Sequence, residues 1–241
     1  VHEILNGCMQ ACKARAGLKL PVLGVLAHGS ANDFVRSLGV EGTVQELVSL
    51  IHSRAERPID AGRVMCDDAA GEPAEHYFLN VTDVGIGASV VERLRKRHSY
   101  LSSNLNYLKA IISTFLTYRH MELGVTSDEG LDWQGRALAL VAANGCYFGS
   151  GLCVAPGASI DDGKLFLTLV GDASIVDFLM NLGRLKRGIP LDNPVAEYHQ
   201  ASSVHVTCPG RPAPVEADGE FLGYTPAVIE IMPGAVTFLA P

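Results

Sequence analysis

Five short stretches carry residue types that could do chemistry. Gly29-Ser30-Ala31-Asn32-Asp33-Phe34 follows a short apolar run that reads as a buried strand, Leu23 to Ala27. Ser30 or Asn32 can cap a helix over Asp33 to Leu38, which Gly39 stops. Such a corner gathers unpaired backbone N–H groups and suits a phosphate. Asp33 beside that anion calls for a cation between them, most simply Mg²⁺. An ordinary capped helix after a core strand is the plain alternative.

The other stretches are acidic. Asp60 sits inside an apolar strand, where a carboxylate must be paired or bind a metal. Asp161-Asp162-Gly163 ends a loop that starts at Ala155 and Pro156, and could hold a hard cation or be a simple turn. Asp218-Gly219-Glu220 lies between two strand runs, as a hairpin tip would. Arg93, Arg95, Lys96, Arg97 and His98 form a basic cluster that is either a solvated helix face or a contact for anionic head groups. Gly149-Ser150-Gly151 lacks the spacing of a nucleophile elbow. The eight histidines show no zinc spacing.

The elements that must position these groups change character along the chain. Val1, Ile4, Leu5, Cys8, Met9 and Cys12 recur at helical spacing, so the chain opens inside an amphipathic helix ending near Gly17. Thr43-Val44-Gln45-Glu46 reads as a capping box, with an apolar face continuing through Ile51. After Pro58 the pattern turns to strands: Ile59 to Met65, Tyr77 to Val81, His120 to Thr126, Arg136 to Ala143, Lys164 to Val170, Ser203 to Thr207 and Val215 to Ala217. Val228 to Met232 and Val236 to Leu239 read as a closing pair joined by a Pro233-Gly234 turn. Helices follow Gly87, run from Leu105 to Leu116, and cover Ser174 to Lys186. The expected organisation is an α/β remnant over 1–56, then a β-rich, sandwich-like domain with a helical insertion over 57–241. The last strands are expected to return to the first domain.

Composition narrows the class. The 241 residues are 48% hydrophobic and carry a net charge of −7, which disfavours general nucleic-acid binding. Six scattered cysteines without a CxxC pair read as free thiols in a reducing, cytoplasmic setting. No signal peptide and no apolar run long enough to span a membrane is visible.

Together these stretches resemble the diacylglycerol kinase catalytic family, especially the bacterial lipid kinases related to sphingosine and ceramide kinases. Gly29-Ser30-Ala31-Asn32-Asp33-Phe34 is similar to the family's G-T-x-N-D-F motif, and Phe78-Leu79-Asn80-Val81 with Val84-Gly85-Ile86-Gly87-Ala88 to its F-x-N strand. Asn144 through Gly151, Ala155-Pro156 and Asp161-Asp162-Gly163 follow its N-x-x-x-x-G-G, A-P and D-D-G run. Asp218-Gly219-Glu220 matches its D-G-E segment, and Met232-Pro233-Gly234-Ala235 its closing hairpin. The family's G-G-D-G-T phosphate loop is absent from the sequence, so the chain reads as the larger C-terminal part of such an enzyme, expected to show little ATP turnover by itself.

The resemblance implies a two-domain fold that transfers the γ-phosphoryl group of ATP to diacylglycerol or a related lipid, and it makes the 1–56 remnant part of a nucleotide-binding domain. By that resemblance Ser30, Asn32 and Asp33 would line the nucleotide side of a cleft, and Asp33 and Asp60 would join the acidic network around catalytic Mg²⁺. Ser159 and Lys164 would offer carbonyls, and Asp162 its carboxylate, to a second, structural Mg²⁺. Glu220, with Asp218 beside it, would be the base for the lipid hydroxyl. Peripheral membrane contact and a homodimer are expected. A non-catalytic lipid-binding module of the same fold and an NAD kinase-like enzyme are the alternatives.

Overall fold

A computed structural model describes residues 1–29, 31–96, 112–191 and 196–241; of Arg95 and Lys96 only the backbone is described. Ser30, the stretch Leu105 to Ile111, and Arg97 and His98 lie outside the described residues.

The helices are α1 (His2–Ala14), α2 (Asp33–Leu38), α3 (Val44–Ser53), α4 (Ile86–Lys96) and α5 (Ile175–Arg187). The strands are β1 (Glu56–Asp67), β2 (Pro73–Phe78), β3 (Val81–Gly85), β4 (Met121–Ser127), β5 (Asp132–Ala137), β6 (Ala139–Ala143), β7 (Tyr147–Phe148), β8 (Leu152–Cys153) and β9 (Leu165–Val170). They end with β10 (Ala196–Ala201), β11 (Ser203–Thr207), β12 (Pro214–Ala217) and β13 (Glu220–Leu239).

Eleven strands form one antiparallel sheet in the order β10-β9-β6-β3-β12-β13-β11-β4-β5, with β1 pairing β13 and β2. β13 is the spine, since it pairs with β1, β11 and β12 along twenty residues. The sheet curls around an apolar core of Phe78, Leu140, Leu165, Leu167, Val204, Val215 and Ile229. Alternation along β11 places Val204 and Val206 inward and His205 outward. A second cluster joins Leu5 and Met9 of α1, Val35 and Leu38 of α2, and Ile59, Val236 and Phe238. The far end of β13 thus packs on the N-terminal helices.

Three local readings change. Leu23 to Ala27 forms a single parallel bridge, Leu23 to Phe238, rather than a strand. Its strand-like pairing is confined to Leu23 at the end of β13, through Leu23 N to Thr237 O at 2.9 Å and Leu239 N to Leu23 O at 2.7 Å, while Ala27 N donates to Gly42 O at 2.9 Å. Pro233-Gly234 is not a hairpin turn: β13 continues through it as a bulge, with Pro233, Gly234 and Ala235 facing Asp60 alone on β1. Thr43 caps α3 by accepting from Glu46 N at 3.2 Å, but Glu46 answers Gly42 N at 2.8 Å instead of closing the box. No residue of α3 is buried; Val44, Val48 and Ile51 stay exposed. No described helix is long and apolar enough to cross a membrane.

Candidate functional site

The hairpin between β12 and β13 places two carboxylates at its tip. Asp218 has φ +50° and Gly219 φ +88°, a tight turn in the left-handed region that Asp and Gly tolerate. Asp218 is buried behind that turn. Its Oδ2 accepts from Leu79 N at 2.9 Å, and its Oδ1 accepts from Asn80 N at 3.0 Å and Val81 N at 3.1 Å. Burial raises its pKa, against the pull of those amides and of His2, whose Nδ1 is 4.0 Å from Oδ2. Glu220, two residues on, is exposed.

The loop between β7 and β8 supplies the facing wall. Gly149, Ser150 and Gly151 have φ of +63°, +69° and +93° in succession. The Ser150 amide donates to Asp33 Oδ2 at 2.9 Å, and the Gly151 amide also acts on that carboxylate. Burial lifts the Asp33 pKa, while these amides and Arg36 oppose the rise. Asp33 Oδ1 is buried without a hydrogen bond, Arg36 Nη1 being 3.6 Å away. Asn32 does not cap α2 with its side chain. It sits at φ +53° and closes on Gly29, with Gly29 N to Oδ1 at 3.0 Å and Nδ2 to Gly29 O at 2.8 Å.

Asn32, Asp33, Asn80, Ser150, Asp218 and Glu220 line one cleft. Asn80 ties its walls together: Ser37 Oγ donates to its Oδ1 at 3.0 Å, and its Nδ2 donates to Tyr147 O at 2.6 Å. Asn80 and Ser150 are missing from the sequence-derived site. The F-x-N resemblance pointed at the first, whereas nothing local marks the second as the holder of Asp33.

Asp60 does not line this cleft. It is 2% exposed, its Oδ1 accepts from Gly234 N and its Oδ2 from Gly163 N, each at 2.7 Å. With one amide on each oxygen, it serves as a pin between the Asp161-Asp162-Gly163 loop and β13. Ser159, Asp162 and Lys164 lie in that loop, also outside the cleft. Ser159 Oγ donates to Asp161 Oδ1 at 2.8 Å, and Asp162 Oδ1 accepts from Lys164 N at 3.0 Å. Lys164 Nζ reaches Glu129 and Ser202. Among the described residues, no group of three or more His, Cys, Asp or Glu is placed to hold a metal ion.

An apolar cavity abuts the cleft. Val90, Leu138, Val141, Leu152, Val170 and Phe178 are among its walls, and Phe148 and Gly149 belong to both spaces. Asp83 is the buried carboxylate on this cavity, its Oδ1 accepting from Ala88 N at 2.7 Å at the start of α4. Burial pushes its pKa up to about 7. Its cross-strand neighbour Glu216 is fully buried and raised well above the usual carboxylate range by burial and by Asp83.

Residues 80–240 match the family described as the YegS C-terminal NAD kinase beta sandwich-like domain, and residues 1–64 match the diacylglycerol kinase catalytic domain. The chain belongs to the YegS-type, diacylglycerol kinase-like family. It is 28% identical over 248 aligned residues to a Chromohalobacter salexigens protein named "Probable lipid kinase YegS-like", covering 100% of this chain and 73% of that protein. A Mycobacterium tuberculosis protein named diacylglycerol kinase is 25% identical, with 96% of this chain and 72% of that protein covered. The crystal structure of a Bacillus anthracis diacylglycerol kinase superposes with a TM-score of 0.64 at 20% identity, covering 97% of this chain and 72% of that one. That likeness establishes the family's fold: a curled antiparallel sheet with a sandwich-like C-terminal part and a few helices.

Proposed function

We propose that the chain is the lipid-binding and acceptor-activating part of a lipid kinase of the diacylglycerol kinase type. ATP is the phosphoryl donor, and the acceptor is the hydroxyl of diacylglycerol or a similar lipid. One observation carries this reading: an almost wholly apolar cavity and an acidic cleft share Phe148 and Gly149 as a common wall. An acyl chain in the cavity leaves its polar end beside Asp218 and Glu220. A soluble acceptor such as NAD has no use for such a cavity.

Each residue then has a task. Glu220, exposed in the cleft, accepts the proton of the lipid hydroxyl. Asp218 fixes the hairpin that carries it, through three backbone amides. Asn32 and the Gly29 corner face the nucleotide phosphates. Asp33 fits a Mg²⁺ ion, because its buried Oδ1 has no hydrogen bond and oxygen donors suit that cation. Bound there, the ion would neutralise phosphate charge. Asp60 does not fit, since it is 2% exposed, lies outside the cleft and holds the Gly163 and Gly234 amides. The 159–164 loop offers oxygen donors of the right chemistry for the second ion, from Ser159, Asp162 and Lys164.

Peripheral membrane contact belongs to the same reading. Val176, Leu179 and Met180 share one face of α5, next to the cavity wall, and are exposed, as is Leu116.

The test is binding and transfer on the same protein. Dioctanoylglycerol should bind, and Ala196→Trp, which fills the cavity from the edge strand β10, should weaken it about tenfold or more. Mixed micelles of diacylglycerol, ceramide or sphingosine, and NAD in solution, should be compared as acceptors with labelled ATP. The sequence has no G-G-D-G-T run, so turnover is expected to be slight and confined to the lipids. Phosphorylation of NAD alone would contradict the reading.

A further inference from the structure

A second cleft lies on a different face of α4 from the cavity. Ser89, Glu92 and Arg93 of α4 line it, with Thr114 from a helical turn, Tyr118 and Arg119 from the chain that follows, and Arg211 from the loop before β12. Three guanidinium groups therefore face one concave space in a chain whose net charge is −7. Arg93 is half-buried and anchored, with Nη1 donating to Ser113 O at 3.2 Å and Nη2 to Thr117 Oγ1 at 2.7 Å. Arg119 and Arg211 are exposed, and among the described residues neither makes an ion pair. The carboxylate at this cleft, Glu92, accepts from Tyr224 Oη at 2.7 Å.

The floor of the cleft is unusual. Thr114 is 2% exposed and its Oγ1 has no hydrogen-bond partner. The Tyr118 hydroxyl is also buried without a partner, and burial drives its pKa upward, so it stays a neutral donor. Two buried hydroxyls without acceptors cost free energy, and an acceptor-rich ligand in the cleft removes that cost. Planar guanidinium forks bind oxyanions through paired N–H groups, and phosphate is the oxyanion with enough acceptor oxygens for both hydroxyls and the arginines.

We propose that the cleft between α4, Thr114, Arg119 and Arg211 binds a phosphate group, carried by an anionic lipid headgroup or free in solution. The site is separate from the acidic cleft and does not depend on the kinase reading. α4 links the two: Ile86, Gly87 and Val90 face the cavity, while Ser89, Glu92 and Arg93 face the phosphate site. An occupied site would hold α4 and the cavity wall in place.

The test titrates the 241-residue chain with inorganic phosphate by calorimetry and, in parallel, floats it on phosphatidylcholine vesicles with or without phosphatidylglycerol. Saturable binding of phosphate identifies the free anion as ligand, and flotation that requires phosphatidylglycerol identifies the headgroup. Either result supports the site if Arg119→Gln/Arg211→Gln weakens it about tenfold or more. Arg15→Gln/Lys19→Gln, which removes exposed cations elsewhere, should leave binding unchanged. Thr114→Val keeps the side-chain shape, so binding should fall several-fold with no loss of thermal stability. No binding of either probe would overturn the proposal. So would binding that the Arg119/Arg211 variant leaves intact, or that the control pair weakens equally.

Discussion

At the scale of single residues, the buried carboxylates divide by what their oxygens touch. Asp218 spends both oxygens on three amides. Asp218→Asn tolerates the φ of +50° but turns an NH₂ group toward at least one of those amides. The expected cost is about 1–3 kcal/mol of stability by chemical denaturation. Glu220→Gln changes an exposed side chain and should stay within about 0.5 kcal/mol of the parent. Asp83 gives a pH prediction. Its folded pKa, about 7, lies well above the ordinary 3.8 of an aspartate, so between these values the folded state holds a proton that the unfolded chain has released. Its stabilising contribution is complete below the unfolded pKa and is lost as pH rises through about 7. Asp83→Asn keeps an oxygen for the Ala88 amide and removes the titration. Relative to the parent, the variant should therefore melt higher at pH 8 than at pH 5.

At the scale of elements, the site depends on turns that bring distant segments together. Asp60 joins Gly163 to Gly234 across the bulge between β1 and β13. Asp60→Asn leaves one of these amides facing an NH₂ group, and should lower stability by about 1–3 kcal/mol while leaving lipid affinity unchanged. A loss of Mg²⁺-dependent nucleotide binding without loss of stability would return Asp60 to a cation network. Gly151 holds φ +93°, and a Cβ there would lie 2.2 Å from Arg36 Nη1. Gly151→Ala should loosen the loop that donates to Asp33, lowering the melting temperature and exposing the Asp33 carboxylate. The elements themselves were legible where their signals are local. Gly39 ends α2 at φ +78°, and Ser174 with Asp177 forms a full capping box on α5. Signals that need a distant partner were not legible. Leu23 to Ala27 has the composition of a strand but makes a single bridge, at Leu23 to the end of β13. The Asp60 carboxylate has the composition of a metal ligand but finds two glycine amides.

At the scale of the molecule, Asp33 and Glu220, which lie in motifs whose flanking residues resemble a known family, line one cleft. Asp60, expected beside Asp33, lies outside that cleft, with its carboxylate on the Gly163 and Gly234 amides. The apolar cavity was the least visible feature. Its walls come from β3, β6, β7, β8, β9, β10, α4 and α5, and no one segment carries its pattern. The cavity adjoins the acidic cleft through Phe148 and Gly149, and the proposed lipid acceptor rests on that adjacency.

The most direct measurement is photolabelling with a diacylglycerol whose acyl chain carries a diazirine, read by peptide mass spectrometry. The account predicts labels on Val90, Leu152 and Phe178, suppressed by excess dioctanoylglycerol and by Ala196→Trp. Labels confined to the exposed faces of α3 or α5, and indifferent to that substitution, would contradict it.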